Sequence, residues 1–312
     1  MFRLRRDRIM MSDARKTSSL DDTDLYAGIA GIEMPVDEYE LGHGLVLRRT
    51  YAHVFAPYLA AFARAERGKP HPPPWKAVSG GLAYDITTEL LVPKVLALPE
   101  WFDHLNTVWW VVALLRLEAT TLATVPIITN VPFSEIAKMQ GEPPFWPVEM
   151  HPTRLVPDRE RATRVQEKTL SWIREHCFSG GGLMRGNDDF NVAFQAFDGS
   201  IWAGSTALGL LTLWGALERL FSPAKAELCF RIPAAIATFL HPPGINRFKS
   251  YKQIKQLYDV RSSAAHGRDD DSHEGYVRTY ELLRSCLHTM LAENRVPSRV
   301  ELEERMFGVE GR

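Results

Sequence analysis

The sequence predicts an α+β protein, a small α/β domain followed by an all-α helical bundle. Three observations carry this. Runs of β-branched residues with strand-like spacing are confined to the first 135 residues. Helical periodicity takes over after residue 158. Between them Gly141–Pro157 (GEPPFWPVEMHPTRLVP) carries five prolines, which no regular element accommodates. The expected organisation is a disordered tail (1–22), an α/β domain of unknown role (23–140), a Pro-rich linker (141–157), the bundle (158–295) and a charged tail (296–312).

Composition bounds the function classes. With 45% hydrophobic and 24% charged residues and a net charge of −1, the chain has an ordinary soluble balance and no global attraction to nucleic acid, although local basic patches fit inside a neutral total. Cys177, Cys229 and Cys286 are far apart and form no ligand spacing, so neither a disulfide scaffold nor a zinc site is expected, and a reducing cytoplasm is the simplest setting. The first 22 residues are basic, then acidic, without the apolar core of a signal peptide, and Met10 and Met11 leave the start codon open. The apolar runs Val108–Leu115 and Ala207–Leu217 are too short to cross a bilayer, and no membrane partner is expected. No HExxH occurs, and Ser179–Gly182 (SGGG) lacks the Lys-Ser/Thr of a phosphate loop, so no metal or cofactor is expected.

In the N-terminal half, Glu40–Arg49 alternates Leu41, Leu45 and Leu47 as a strand does, with a break at His43–Gly44. Tyr51–Arg67 has Val54, Tyr58, Leu59, Phe62 and Ala65 at helical spacing and is expected to be an amphipathic helix. His71–Trp75 (HPPPW) is extended and reads as a stiff connector rather than a polyproline ligand. Gly81–Val92 and Thr120–Val131 read as strands, and Trp101–Leu117 fits either a helix or a buried strand.

Helices are expected at Asp158–Cys177, ended by the glycine run, then at Asp188–Phe197 and Ile201–Phe221. Lys225–Leu240 follows, kinked or started at Pro233, then Asn246–Ala265 and Asp271–Glu293, where Asp271 and Glu274 form a capping box.

The chemistry concentrates in Tyr251–Gly267 (YKQIKQLYDVRSSAAHG). Ile254, Leu257 and Tyr258 form its apolar stripe, with Lys249, Lys252 and Lys255 off it. Arg261, permanently charged, precedes His266, which titrates near neutrality, by five residues. With 27 arginines and ten histidines, chance supplies roughly one Arg-x4-His pair. The chain has three, and Arg48/His53 and Arg268/His273 lie across a strand–helix junction and in an acidic turn. The middle pair therefore rests on its setting. Arg247, Lys249, Lys252, Lys255 and Arg268 surround it with Asp259 as the one nearby acid, a patch able to hold a phosphate backbone or simply to face solvent. Glu218 falls on an otherwise apolar helix, where a carboxylate needs Arg261 or Arg219 as partner.

The half-chain 158–295 resembles the HEPN superfamily, and within it the ApeA-like branch found in phage-defence proteins. Leu213–Phe221 (LWGALERLF) is similar to that branch's helix running into Leu-Glu-x-Leu, and Leu257–Gly267 (LYDVRSSAAHG) to its tyrosine followed by Arg-Ser-x-x-x-His-Gly. The order of helices, glutamate first and a closing helix last, also agrees. After the arginine many active HEPN ribonucleases carry Asn, Asp or His, and this chain carries Ser262, usual in the ApeA-like branch.

The resemblance implies a metal-independent endoribonuclease of defence or toxin type, with RNA as its substrate, acting as a homodimer through the helical domain. Arg261 and His266 would be catalytic, with Ser262, Glu218 and Tyr258 in support. On a regular helix residues five apart differ by about 140°, so two subunits are needed to converge two such pairs on one cleft. The N-terminal domain would then hold a regulatory partner or sense a trigger. The alternative is a non-catalytic module binding RNA, a nucleotide or a protein, with Arg261 and His266 holding the bundle together.

Overall fold

A computed structural model describes residues 23–95, 102–150, 155–157, 164–221, 227–265 and 272–308. The N-terminal half is one antiparallel sheet. Its strands are β1 (Leu25–Ala30), β2 (Glu38–Gly42), β3 (Leu45–Ala61), β4 (Trp75–Val92), β5 (Thr124–Thr129) and β6 (Trp146–Pro147), in the order β2-β3-β4-β1-β5-β6. The alternation of Leu41, Leu45 and Leu47 does form a hairpin. The register Gly42↔Leu45 leaves His43 and Gly44 as a two-residue turn, both at positive φ, the conformation a tight hairpin needs and glycine adopts without steric cost.

Tyr51–Arg67 is not a helix. Residues up to Ala61 continue β3, paired with β4 from Ala52↔Ile86 to Ala61↔Trp75. Pro57 lies inside that span and would have disrupted a helix by ~3 kcal/mol, whereas a strand with an open edge tolerates it. His71–Pro74 does act as connector, within the loop between β3 and β4.

The ambiguous stretch after residue 101 is α1 (His104–Glu118). Its length exceeds a buried strand, and Asp103 caps it by accepting the Asn106 N–H at 2.8 Å. Short α2 (Phe133–Ile136) covers the opposite face of the sheet, where Phe133 meets Ile86 and Ile127.

The C-terminal half is helical, comprising α3 (Glu167–Gly186), α4 (Asp188–Ser200), α5 (Thr206–Phe221), α6 (Leu228–Leu240), α7 (Ile245–Ala265), α8 (Ser272–Glu293) and α9 (Arg299–Met306). The stretch 296–312, expected as a charged tail, thus holds a helix, with Ser298 as N-cap and Leu302 buried. Asp271, the proposed capping residue of α8, and residues 158–163 lie outside the described residues. Pro233 neither starts α6 nor ends it, and sits within the helix.

The glycine run does not break α3, which passes straight through Ser179–Gly182. The physical reason is packing. A β-carbon on Gly180 would stand 2.6 Å from Leu291 Cδ2 and 3.0 Å from Trp110 Cζ2, so only glycine lets α3 approach α1 and α8 this closely. Phe190, Phe194 and Phe197 of α4 are fully buried, as their spacing predicts. Apolar residues of the sheet and of α1, α3, α4, α5 and α8 form one continuous cluster. No helix of the described residues is long and apolar enough to cross a membrane.

Candidate functional site

The predicted site is organised by α5 and α7. α7 turns Ile254, Leu257, Tyr258 and Ala264 inward and leaves Lys249, Lys252 and Lys255 exposed, as the stripe requires. Tyr258 packs edge-on against Trp214 of α5 at 5.2 Å between ring centroids, which places it in the core. One turn beyond Trp214, Glu218 faces α7. Arg261 Nη2 lies 2.9 Å from Glu218 Oε1, while the Arg261 guanidinium carbon stands 5.5 Å from the Tyr258 ring. Arg219 turns the other way and pairs with Asp189 at 2.8 Å.

The electrostatics are those of a half-buried cluster. Arg261 and Glu218 keep 29% and 25% of their side-chain surface open. Glu218 Oε1 and Arg261 Nε are buried without a hydrogen-bond partner among the described residues, as is Trp214 Nε1. The Arg261–Glu218 contact is therefore charge pairing at short range rather than an aligned hydrogen bond. Burial, and next the Glu218 carboxylate, push the Tyr258 hydroxyl above its usual pKa, so it stays protonated at neutral pH.

Ser262 is half-buried on the last turn of α7, beside Arg261. His266 and Arg268 lie outside the described residues. Arg247 is committed to backbone. Its Nε donates to the His241 carbonyl at 2.9 Å and its Nη1 to the Arg305 carbonyl at 3.2 Å, tying the end of α6 to the end of α9. Lys252 places its ammonium 4.4 Å from the Phe248 ring centroid. The structure thus joins Glu218, Tyr258 and Arg261, keeps three lysines on the outer face of α7, and separates Arg247 from them.

The strongest polar cluster lies elsewhere, and sequence reasoning passed over it. Arg116 of α1, fully buried, donates to Asp198 of α4 at 2.9 Å and to Glu149 at 2.5 Å, with its Nε on the Ala123 carbonyl. Trp109 Nε1 donates to the other Asp198 oxygen at 2.8 Å, and Glu149 accepts the Val125 N–H. Burial alone would lower the Arg116 pKa, but the two carboxylates outweigh it and push it up. Every strong donor of the guanidinium faces a partner, so the cluster locks sheet to helices rather than offering a reactive group. The available signal was one arginine inside an otherwise apolar helix, Val108–Leu117.

A second cluster is aromatic. Trp172 is stacked between His176 and His288 at 4.5 and 4.7 Å, and His288 Nε2 lies 3.1 Å from Glu118. Among the described residues no group of three or more His, Cys, Asp or Glu side chains is placed to hold a metal ion. No family model, curated protein or solved structure matches the chain.

Proposed function

We propose that the protein is a metal-independent endoribonuclease of HEPN type, active as a homodimer through its helical half in defence against phage or as a toxin. One observation carries the reading. Arg261 stands near the C-terminal end of the described α7, partly open to solvent, and His266 follows Ala265, the last described residue of that helix, in sequence. The succession α5, α6, α7, α8 also agrees with the order of helices in the resemblance, and the exposed lysines of α7 supply a phosphate-binding face.

In this mechanism His266 takes the proton of the ribose 2′-OH, whose oxygen attacks the adjacent phosphorus. The P–O5′ bond breaks, the 5′-oxygen receives a proton from an imidazolium, and the products are a 2′,3′-cyclic phosphate and a 5′-hydroxyl. Arg261 holds a non-bridging oxygen as negative charge builds on it. A second subunit supplies the second Arg–His pair. The N-terminal sheet restrains the nuclease or receives its trigger.

The second reading is a non-catalytic module that binds RNA, a nucleotide or a protein. The Glu218–Arg261 ion pair favours it, because a guanidinium paired to a carboxylate is already satisfied in charge. Cleavage of RNA in EDTA by wild type, Arg261→Ala and His266→Ala separates the two. Loss of cleavage in both variants, with folding intact, supports the nuclease. RNA binding without cleavage by any of the three leaves the binding module, and equal cleavage by all three rejects the site.

A further inference from the structure

Strands β3 and β4 extend far beyond the sheet. β1 pairs with β4 only from Ile86 to Val92, and β2 pairs with β3 only from Leu45 to Arg48. Past those points the two strands pair only with each other, forming a ribbon whose outer edges are unpaired among the described residues. A two-stranded ribbon is marginal alone in water, and its open edges and faces call for a cover.

The fold covers one face only where it begins. Ala52 and Val54 lie against the small cluster of Ile86, Ile127 and Phe133. No described residue covers the other face. Tyr51, Phe55 and Leu59 alternate onto it and Trp75 joins them across the pairing Ala61↔Trp75, and the four are 71%, 69%, 66% and 58% exposed. The face carries little net charge to attract a nucleic acid, since His53 and Asp85 are paired on it at 2.8 Å.

The relief of this face is asymmetric between its two strands. Phe55 lies opposite Ala83, and Leu59 opposite Ala77, so there β3 bears the ridge and β4 the furrow, an order that Trp75 opposite Ala61 reverses at the outer end. A two-fold axis along the strands would lay each ridge into the furrow of the other copy, the self-complementarity that an isologous contact requires. The area is also of the right order. These four side chains alone leave about 500 Å² open at ~200 Å² per aromatic side chain. A standard interface takes ~800 Å² from each partner.

We propose that this face of the β3–β4 ribbon is a homodimer interface, with Phe55 of each copy seated over Ala83 of the other. The inference goes beyond the nuclease reading and does not depend on it, since that reading puts its dimer contact in the helical half.

Sedimentation equilibrium of the full chain across a micromolar range tests it, with Phe55→Asp and Ala83→Glu compared with wild type. Wild type is expected to associate one step further than either variant, monomer to dimer or, where the helical halves also pair, dimer to tetramer, and each variant to weaken that step at least ~100-fold with unchanged circular dichroism. Ala83→Glu is informative because it removes no apolar contact within one copy's ridge. Hydrogen exchange on wild type, which needs no variant, should show protection of Ala52–Ala61 amides that rises with protein concentration. A monomeric wild type overturns the proposal. So does a dimer that both variants leave intact, which would locate the contact elsewhere, or ribbon protection independent of concentration, which would make a segment of the same chain the cover.

Discussion

Arg261 Nη2 lies 2.9 Å from Glu218 Oε1, so the arginine of the Arg-x4-His segment already faces a carboxylate on α5. A phosphate reaching Arg261 must share it with Glu218 or displace it. The pair also fastens the end of α7 to the bundle, immediately before His266. Glu218 is thereby a positioning residue under either functional reading.

Replacing Glu218 by Gln should cost about 1–2 kcal/mol of stability, between the values for exposed and for buried ion pairs. A double-mutant cycle with Arg261→Ala, read by urea unfolding, should return a coupling of about 1 kcal/mol. If Arg261 is the phosphate clamp, Glu218→Gln should also tighten RNA binding, measured by anisotropy at fixed salt. Unchanged binding would mean that the guanidinium serves only the bundle.

Arg116 should matter more for stability than any residue of the proposed site. Arg116→Ala strands Asp198 and Glu149 without their buried cation. The expected loss is ~3–5 kcal/mol, read from the denaturant midpoint at constant slope. A loss below ~1 kcal/mol would remove the cluster from its role as the tie between sheet and helices.

The glycines of α3 should respond in opposite directions. Gly180→Ala drives a methyl to 2.6 Å from Leu291 and should lower stability by ~1–2 kcal/mol despite the better helix former. Gly182, with nothing within 4 Å of an added methyl, should gain ~0.5–1 kcal/mol on the same substitution. Thermal melts of the two variants check the contrast.

Glu89 gives a pH signature. Burial pushes its carboxyl up, against the Phe133 N–H donated at 2.7 Å and the charge of Arg48. The folded pKa exceeds the unfolded one, so the favourable contribution is fully present below the unfolded value and is lost as pH rises through the folded one. Glu89→Gln should therefore gain on wild type as pH rises from ~4 to ~7. Urea midpoints of the two proteins that stay parallel across that range would refute the burial argument.

The three thiols should react unequally. Burial pushes Cys177 up to about 12 and Cys286 up as well, while Cys229 is exposed. Native protein treated with iodoacetamide should be alkylated at Cys229 alone, by mass spectrometry, and at all three only after unfolding.

What could be read from the chain itself was local. The break in strand alternation at His43–Gly44, the inward phenylalanines of α4, and the stripe of Ile254, Leu257 and Tyr258 follow from spacing, because each involves near neighbours along the chain. The division into a strand-rich and a helical half follows from the same signals summed. Tertiary structure decided the rest. Tyr51–Ala61 has an apolar spacing compatible with a helix, yet pairing with a strand more than ten residues away made it a ribbon. Gly180 reads as a breaker until Trp110 and Leu291 approach it, and Glu218 has two arginine candidates until α7 packs on α5. Partners distant in sequence leave no periodic trace, so local propensity cannot choose among them. Packing does, by admitting only the arrangement that closes the core and pairs its buried charges.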